Sequence, residues 1–275
     1  MYRLTREVRF AIDLTCRETR EVQGHNGYAG KPPVTGLGQV YYSLAVTVRG
    51  EPSDDGYIVN IKDVDALVRD RAIPLVKAAV RRVACESSPD GGGGIVREVY
   101  DALQNALPPH AVDAVELALS PLTRLAVRAP TGEPPMTYLK HTFDFAASHR
   151  LHNPDRDDDD NRRVFGKCNN VHGHGHNYQV EVSVAGTPDA DGFLVDLCEL
   201  ERIVDERVIA PLDHKNLNVE VEEFMDGAPD RLNPSVEHIA KVVYRRLAPH
   251  LDRGHAKLDA VTVWETPKTW CEYRE

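Results

Sequence analysis

The sequence is poor in the features that mark secreted, membrane-spanning and nucleic-acid-binding chains. It has 5 cysteines among 275 residues, an odd and scattered set that predicts reduced thiols rather than a disulfide framework. It contains neither a long apolar run nor a signal peptide, which predicts a cytoplasmic protein with no membrane partner. Acidic residues outnumber basic ones by 43 to 33, giving a net charge of -10. This charge argues against a nucleic-acid partner, which requires a basic surface.

Histidine is scarce in the first half of the chain. Only His25 and His110 precede residue 136, and the other ten histidines follow it. Imidazole is the usual side chain for proton transfer near neutral pH and for binding transition metals. We therefore expect the functional site in the second half.

An internal repeat divides the sequence. Residues 55–61 (DGYIVNI) recur with conservative changes at 191–197 (DGFLVDL), and the same register aligns 40–48 with 176–184. A chain of this length can form two domains of roughly 130 residues each. The repeat predicts a tandem duplication, with one copy at residues 1–130, a Gly- and Pro-containing linker at 131–137, and a second copy at 138–275.

Each copy has the pattern strand, loop, strand, helix, loop, helix, strand, which predicts an antiparallel α+β fold. In the second copy, strict alternation predicts a strand at 178–184, and helical spacing predicts helices at 197–209 and 235–247. The second of these helices has a start signal in Asn-Pro-Ser. A final strand is expected at 260–265, and the acidic run at 155–160 is interpreted as a solvated loop.

The segment His172-Gly-His174-Gly-His176 leads into a predicted strand. Alternation places His174 and His176 on one face of that strand, and His149 on the preceding strand is a candidate third ligand. Three histidines with an open fourth position are typical of catalytic zinc. His172 is a rival ligand, but the register of the repeat favours a loop position for it.

The usual interpretation of an isolated His-x-His is a surface or core polar pair. Comparison within the chain argues against that here, because the first copy carries Leu14, Gly38 and Val40 at the three matching positions. The repeated fold therefore does not need imidazoles there.

Three further polar signals lie near the histidines or at the ends of predicted elements. Cys168 precedes the histidines, and a thiol near Zn²⁺ and a lysine would have its pKa lowered, although free cysteines are often inert packing groups. The pair Asp213-His214 is either a proton relay or a helix end. Glu265 is either a hydrogen-bond acceptor for a heterocycle or an exposed strand end.

The first copy has Val76, Lys77 and Leu119 at the positions of Asp213, His214 and Glu265, so these candidates are lost together.

Five motifs occur in the order found in 6-pyruvoyltetrahydropterin synthases, and the resemblance covers residues 138–275. The motifs are ASHRL (147–151), FGKCNN (165–170), GHGHNY (173–178), LDHKNL (212–217) and WET (264–266).

The resemblance implies a T-fold, an antiparallel four-stranded sheet backed by two helices, whose copies associate edge to edge into a barrel. A homo-oligomer is therefore expected, and the repeat extends a degenerate T-fold to residues 1–130. In that family, Zn²⁺ is held by the residues matching His149, His174 and His176. The resemblance also implies that Cys168 abstracts a substrate proton, that Asp213 and His214 assist, that Glu265 anchors the pterin, and that Ser235 and Glu237 help line its pocket.

The implied reaction converts 7,8-dihydroneopterin triphosphate to 6-pyruvoyltetrahydropterin with elimination of triphosphate. A related alternative is 6-carboxytetrahydropterin synthase, which typically has three residues between its cysteine and His-Gly-His. Three residues separate Cys168 from His172 and five separate it from His174, and the repeat favours the five-residue spacing of the pyruvoyl enzymes. A non-catalytic zinc- or pterin-binding module is the second alternative, and the presence of both thiol and relay argues against it.

Overall fold

The computed structural model describes residues 1–14, 38–86, 90–129, 132–225, 227–228 and 230–275. The chain forms two compact units. One comprises Met1–Lys140 and Ala185–Leu194, and the other comprises His141–Val184 and Val195–Glu275. Cys16 and His25 lie outside the described residues. The three described free cysteines are Cys168, Cys198 and Cys271. No helix among the described residues is long and apolar enough to cross a membrane.

Among the described residues, the first unit contains four strands connected as an antiparallel sheet. They are β1 (Tyr2–Asp13), β2 (Gln39–Gly50), β3 (Ala111–Ala118) and β4 (Thr123–Arg128), each paired with the next. Alternate residues are buried along β1 and β2, and Val8 pairs with Leu44. This alternation places one apolar face against the helices, as the period of a strand requires.

The helices of the first unit cover that face. They are α1 (Ile61–Leu67), a π-helical segment (Val68–Ala72), α2 (Ile73–Glu86) and α3 (Gly93–Leu103). Helix α3 begins after Gly92, whose φ of 76° is in the left-handed region that glycine adopts without strain.

The second unit has a sheet with strand order β5-β6-β8-β9. Its strands are β5 (Met136–His149), β6 (His174–Gly186), β8 (Ala256–Thr266) and β9 (Thr269–Tyr273), with the short β7 (Lys215–Asn216) parallel to the end of β5. Strand β5 reaches this unit at His141. The α+β class is confirmed, and within the described residues neither unit closes its sheet into a barrel.

The second unit also has five helices and several short turns. They are α4 (Asp158–Phe165), a 3₁₀ turn (Gly166–Asn169), α5 (Leu197–Val204), a π-helical segment (Asp205–Ile209), α6 (Ala210–Leu212), α7 (Leu217–Glu220), α8 (Val236–Leu247) and a 3₁₀ turn (Ala248–His250). Helix α8 lies against β8 and β9. Fully buried Tyr178, Val180 and Val182 of β6 and Ile239 and Val243 of α8 form much of the core.

One local prediction was wrong, and one strand was missed. The acidic run is not wholly a loop, because residues 158–160 form the first turn of α4 and Asp157 caps it through its side chain. Carboxylates in a first turn are stabilised by the helix dipole, so acidic residues there favour a helix start. The residue pattern also missed β9, a five-residue strand whose residues are exposed or half-buried and thus show no clear alternation. The predicted helix at 235–247 is confirmed, with Ser235 as its N-cap.

Candidate active site

The three predicted metal ligands lie together at the ends of two neighbouring strands. His149 is the last residue of β5, and His174 and His176 lie at the start of β6. Their candidate ligand atoms all lie within 4.8 Å of one another, and His149 Nε2 is 3.2 Å from His174 Nε2. His172 lies in the turn before β6 and is not part of this cluster, as its predicted loop position requires.

The tautomer of His149 is determined by its surroundings. Its Nδ1 lies 2.7 Å from the carbonyl oxygen of Pro234. A carbonyl oxygen only accepts, so Nδ1 carries the proton and donates, and Nε2 keeps its lone pair for the cluster. The side chain is fully buried, and burial lowers the pKa of His149 to about 4. It is therefore a neutral ligand at physiological pH.

The other two imidazoles also fit a divalent ion. Burial, and then the neighbouring His176, lower the pKa of His174. Among the described residues, His176 Nε2 is buried and has no hydrogen-bond partner, and His174 Nε2 lies 3.2 Å from His149 Nε2. Imidazole nitrogens that converge in this way suit zinc and similar borderline ions.

Glu265 lies at the same cluster. Its Oε1 is 3.4 Å from His149 Nε2 and 3.6 Å from His176 Nε2. Tyr178 is fully buried beside it, with its ring centroid 6.1 Å from that of His149 and 5.5 Å from that of His176. The site thus includes one buried tyrosine, whose hydroxyl oxygen lies 3.4 Å from His149 Nδ1, and the Glu265 carboxylate.

Cys168 lies in the 3₁₀ turn and is half-buried. Its carbonyl oxygen accepts a hydrogen bond of 2.9 Å from Leu151 N, which attaches the turn to the chain just after His149. Burial and then the charge of Glu265 raise the pKa of this thiol. The residues of the chain therefore raise the pKa of Cys168, whereas the sequence analysis predicted that it would be lowered. A lowered pKa requires a cation nearby.

A network of buried amides supports the turn, and the sequence analysis missed it. Asn169, adjacent to Cys168, accepts from Arg150 Nε at 3.1 Å and lies 3.2 Å from His152 Nδ1. Asn218 exchanges two hydrogen bonds with the backbone of Arg150. The asparagines in the sequence were the available signal for this network. The residues to which they hydrogen-bond, however, lie 17 to 68 positions away from them in the chain.

Asp213 and His214 are attached to the edge of β5. Asp213 Oδ1 accepts from Ala146 N at 2.8 Å, Asp213 Oδ2 lies 2.8 Å from His214 Nδ1, and His214 N donates to Ala146 O at 2.6 Å. The Ala146 amide and then His214 lower the pKa of Asp213. His214 adopts a left-handed φ of 58°, and its side chain is 82% exposed.

An open groove of ≈ 580 Å³ connects the two groups of residues. His176 and His214 both line it, together with Ser148, Asn177 and Glu220 among others. The structure thus places one histidine of the cluster, His176, and one member of the Asp213-His214 pair, His214, on the same groove of the second unit.

Residues 138–275 match the family described as 6-pyruvoyl tetrahydropterin synthase. The chain belongs to this family. A 6-pyruvoyl tetrahydrobiopterin synthase of Drosophila melanogaster is 38% identical over 142 residues, covering 51% of this chain and 80% of that protein. A 6-carboxy-5,6,7,8-tetrahydropterin synthase of Haemophilus influenzae is 30% identical over 128 residues, covering 40% of this chain and 86% of that protein.

A solved member of the family is the 6-pyruvoyl tetrahydropterin synthase of Caenorhabditis elegans. It is 33% identical, covers 51% of this chain and 96% of its own, and has a TM-score of 0.47. The family match spans the whole histidine cluster, the Cys168 turn, the Asp213-His214 pair and Glu265.

Ser235 and Glu237, the remaining candidates, lie at the start of α8. The Ser235 side chain accepts from His238 N, and Ser235 lowers the pKa of Glu237 by hydrogen bonding to it. Pro234, which holds His149, immediately precedes them. In this family member, the helix start and the metal cluster are therefore joined through one backbone carbonyl.

Proposed function

We propose that the chain converts 7,8-dihydroneopterin triphosphate to 6-pyruvoyltetrahydropterin with release of triphosphate. The observation that carries this proposal is the convergence of His149, His174 and His176, with ligand atoms within 4.8 Å of one another, inside the family match. We further propose that the bound metal is zinc and that these three histidines hold it. Zinc would act as a Lewis acid on the side-chain oxygens of the substrate.

In this proposal, Cys168 is the base that removes a carbon-bound proton. The role is supported by the hydrogen bonds that hold its turn, from Leu151 N, two residues after His149, to Cys168 O and from Arg150 Nε to Asn169 Oδ1. Because burial and Glu265 raise its pKa, the thiolate depends on positive charge in the same site.

Glu265 would anchor the pterin ring through its carboxylate, and Ser235 and Glu237 would help line the pocket. Asp213 holds the Nδ1 proton of His214, so His214 Nε2 would be free to accept or deliver protons in the groove. The exposure of His214 supports exchange of these protons with water.

For the rest of the chain we propose the arrangement inferred from the repeat. Residues 1–130 would be a T-fold copy without a metal site, 131–137 a linker, and 138–275 the catalytic copy. Matching connectivity supports this: β1-β2, helices, then β3-β4 in the first unit, and β5-β6, helices, then β8-β9 in the second. We propose that chains associate into a barrel of T-fold units, as a homo-oligomer in the cytoplasm.

A 6-carboxytetrahydropterin synthase is the second candidate, supported by the similarity to the Haemophilus influenzae protein. The composition of the histidine cluster favours the first. His174 and His176 belong to it and His172 does not, which leaves five residues between Cys168 and the first His of the ligand pair.

The test is to incubate the zinc-loaded protein with 7,8-dihydroneopterin triphosphate and identify the products by mass spectrometry. We expect triphosphate and a pyruvoyl pterin, with both lost in Cys168→Ala. A carboxylated pterin with acetaldehyde would instead assign the second candidate. Pterin binding without turnover would overturn both and leave a binding module.

A further inference from the structure

We infer that the turn at residues 53–57 is a docking surface for a second copy of this chain, which covers the turn with the start of its helix α8. This inference rests on the repeat and the homo-oligomer of the proposed function, because it names the surfaces through which two chains meet. A second turn, at residues 189–193, also belongs to the first unit and is the internal model for the contact.

The two turns have the same backbone geometry. In the turn at 53–57, the first residue's N–H donates to the last residue's carbonyl oxygen at 2.8 Å, and the glycine N–H donates to the first residue's carbonyl oxygen at 2.8 Å. In the turn at 189–193, the same two hydrogen bonds measure 2.9 Å and 3.1 Å. Gly56 and Gly192 have φ of 81° and 82°. Two turns of one shape can make the same kind of contact.

The turn at 189–193 is covered by the glycine-rich segment at the start of α3. Gly91 N and Gly93 N donate, each at 2.9 Å, to two carbonyl oxygens of the turn. A Cβ on Gly91 would lie 2.5 Å from Cγ of Phe193, so the close approach depends on glycine. Leu194, directly after the turn, is only 2% exposed.

The turn at 53–57 has no such cover among the described residues. A Cβ built on Gly56 would have nothing within 4 Å, and Tyr57 is 67% exposed. Within the described part of the chain, the carbonyl oxygens of Asp55 and Gly56 accept no hydrogen bond, although the matching oxygens of the other turn both do. Ile61, the first residue of α1, is 44% exposed. The same turn is therefore covered in one place and uncovered in the other.

The proposed repeat identifies the element that fits the uncovered turn. It matches α3 with α8, so the N-caps Gly92 and Ser235 correspond, and Gly93 N corresponds to Val236 N. Gly93 N donates to the covered turn, whereas Val236 N has no acceptor among the described residues. Each chain thus has one uncovered turn and one helix start with an unused donor. These are the two halves of a head-to-tail contact between copies, and repeated contacts of this kind close into a ring.

The start of α8 differs from that of α3 in having no glycine. By the same correspondence, Pro234 and Ser235 replace Gly91 and Gly92. Their side chains keep the two backbones farther apart, and proline has no N–H to donate. The contact between chains therefore depends more on the ring of Tyr57 than on backbone hydrogen bonds.

The first experiment measures the association of the full chain by sedimentation velocity over a range of concentrations. Tyr57→Ser removes the exposed ring from the turn. Val83→Ser removes an exposed apolar side chain from α2 of the same unit and is the matched control. Circular dichroism establishes that each variant is folded.

We expect the concentration at which half of the oligomer dissociates to rise at least about tenfold in Tyr57→Ser and to stay unchanged in Val83→Ser, because buried aromatic side chains contribute much of the free energy of association. If Tyr57→Ser dissociates at the same concentration as wild type, the inference is overturned while the homo-oligomer stands. If wild type is monomeric at every concentration, the homo-oligomer of the proposed function fails, and the inference fails with it.

Photo-cross-linking then identifies what covers the turn. Benzoylphenylalanine is placed at the position of Tyr57, and isotopically labelled and unlabelled chains are mixed before irradiation. We expect mass spectrometry to find cross-links to residues 232–237 that join a labelled chain to an unlabelled one. Cross-links to another segment, or only within one chain, would overturn the inference.

Discussion

At the scale of single residues, the histidine cluster depends on groups that hold imidazoles neutral and correctly oriented. His149 is the extreme case, since it is fully buried and donates to the Pro234 carbonyl. Such a residue favours metal binding but makes the metal-free protein sensitive to acid, because a buried imidazole resists protonation.

The stability of the metal-free protein should therefore fall as the pH is lowered through a defined window. The pKa of His149 is about 4 in the folded protein and near its ordinary 6.5 when unfolded, so the unfolded state binds more protons in between. The free energy of unfolding then decreases from pH 6.5 to pH 4, by about 3 kcal/mol from this residue.

Urea denaturation at several pH values measures this dependence. His149→Gln should flatten the slope in the window, and His255→Gln, at an exposed position, should not. An equal slope in wild type and His149→Gln would show that other groups cause the acid sensitivity.

The reactivity of Cys168 should respond to Glu265. Because that carboxylate contributes to the raised pKa of the thiol, Glu265→Gln should speed alkylation of Cys168 by iodoacetamide several-fold in the metal-free protein at pH 8. Mass spectrometry of the alkylated peptides measures the rate. The exposed Cys198 in the same sample is the internal control, and an unchanged Cys168 rate would contradict the electrostatic coupling.

At the scale of elements, the 3₁₀ turn Gly166–Asn169 is too short to orient Cys168 by itself. Its orientation comes from Asn169, which is buried and bonded to Arg150 and lies next to His152. A short turn acquires one geometry when side chains from longer elements satisfy its polar groups.

Asn169→Ala should lower kcat by about 10- to 100-fold, since a small displacement of a reacting group has that effect. Metal content should remain at the wild-type level, because within the described residues no hydrogen bond joins Asn169 to His149, His174 or His176. Asn170→Ala, at the exposed adjacent position, is the matched control for loss of an amide. If the two variants have the same kcat, Asn169 does not position Cys168.

The start of α8 offers a separate test. Ser235→Ala removes the N-cap of the helix and should lower the free energy of unfolding by about 1 kcal/mol. If Ser235 also lines the pterin pocket, KM for the pterin should rise as well. A loss of stability with KM unchanged would limit Ser235 to its capping role.

At the scale of the whole molecule, the two units have similar connectivity and different chemistry. Under the proposed repeat, the positions that match the three histidines carry Leu14, Gly38 and Val40, none of which binds zinc. One chain should therefore hold one metal ion.

Elemental analysis of the purified protein should give one zinc per chain, and the combined change His174→Ala with His176→Ala should give none. The metal content should follow the chain concentration whatever the number of chains in the oligomer, which analytical ultracentrifugation measures independently. Two ions per chain would contradict the assignment of a single site to the second copy.

Local sequence alone determined the class of the fold and the identity of the histidine cluster. Alternation along residues 178–184 and helical spacing at 235–247 act over a few residues, so the strand and the α8 start at Ser235 could be predicted directly. The His-x-His spacing placed His174 and His176 on one face of that strand for the same reason. Under the proposed repeat, the absence of histidine at the matching positions of residues 1–130 singled out the site.

Only the tertiary structure decided what surrounds that site. The Pro234 carbonyl reaches His149 across 85 residues of chain, and Asn218 reaches Arg150 across 68. The pKa of Cys168 follows from burial and from Glu265, 97 positions away, and the register shift at Glu265 exists only through the pairing of β8 with β9. Hydrogen bonding, burial and charge act through space between residues distant in the chain, whereas sequence periodicity records only local geometry.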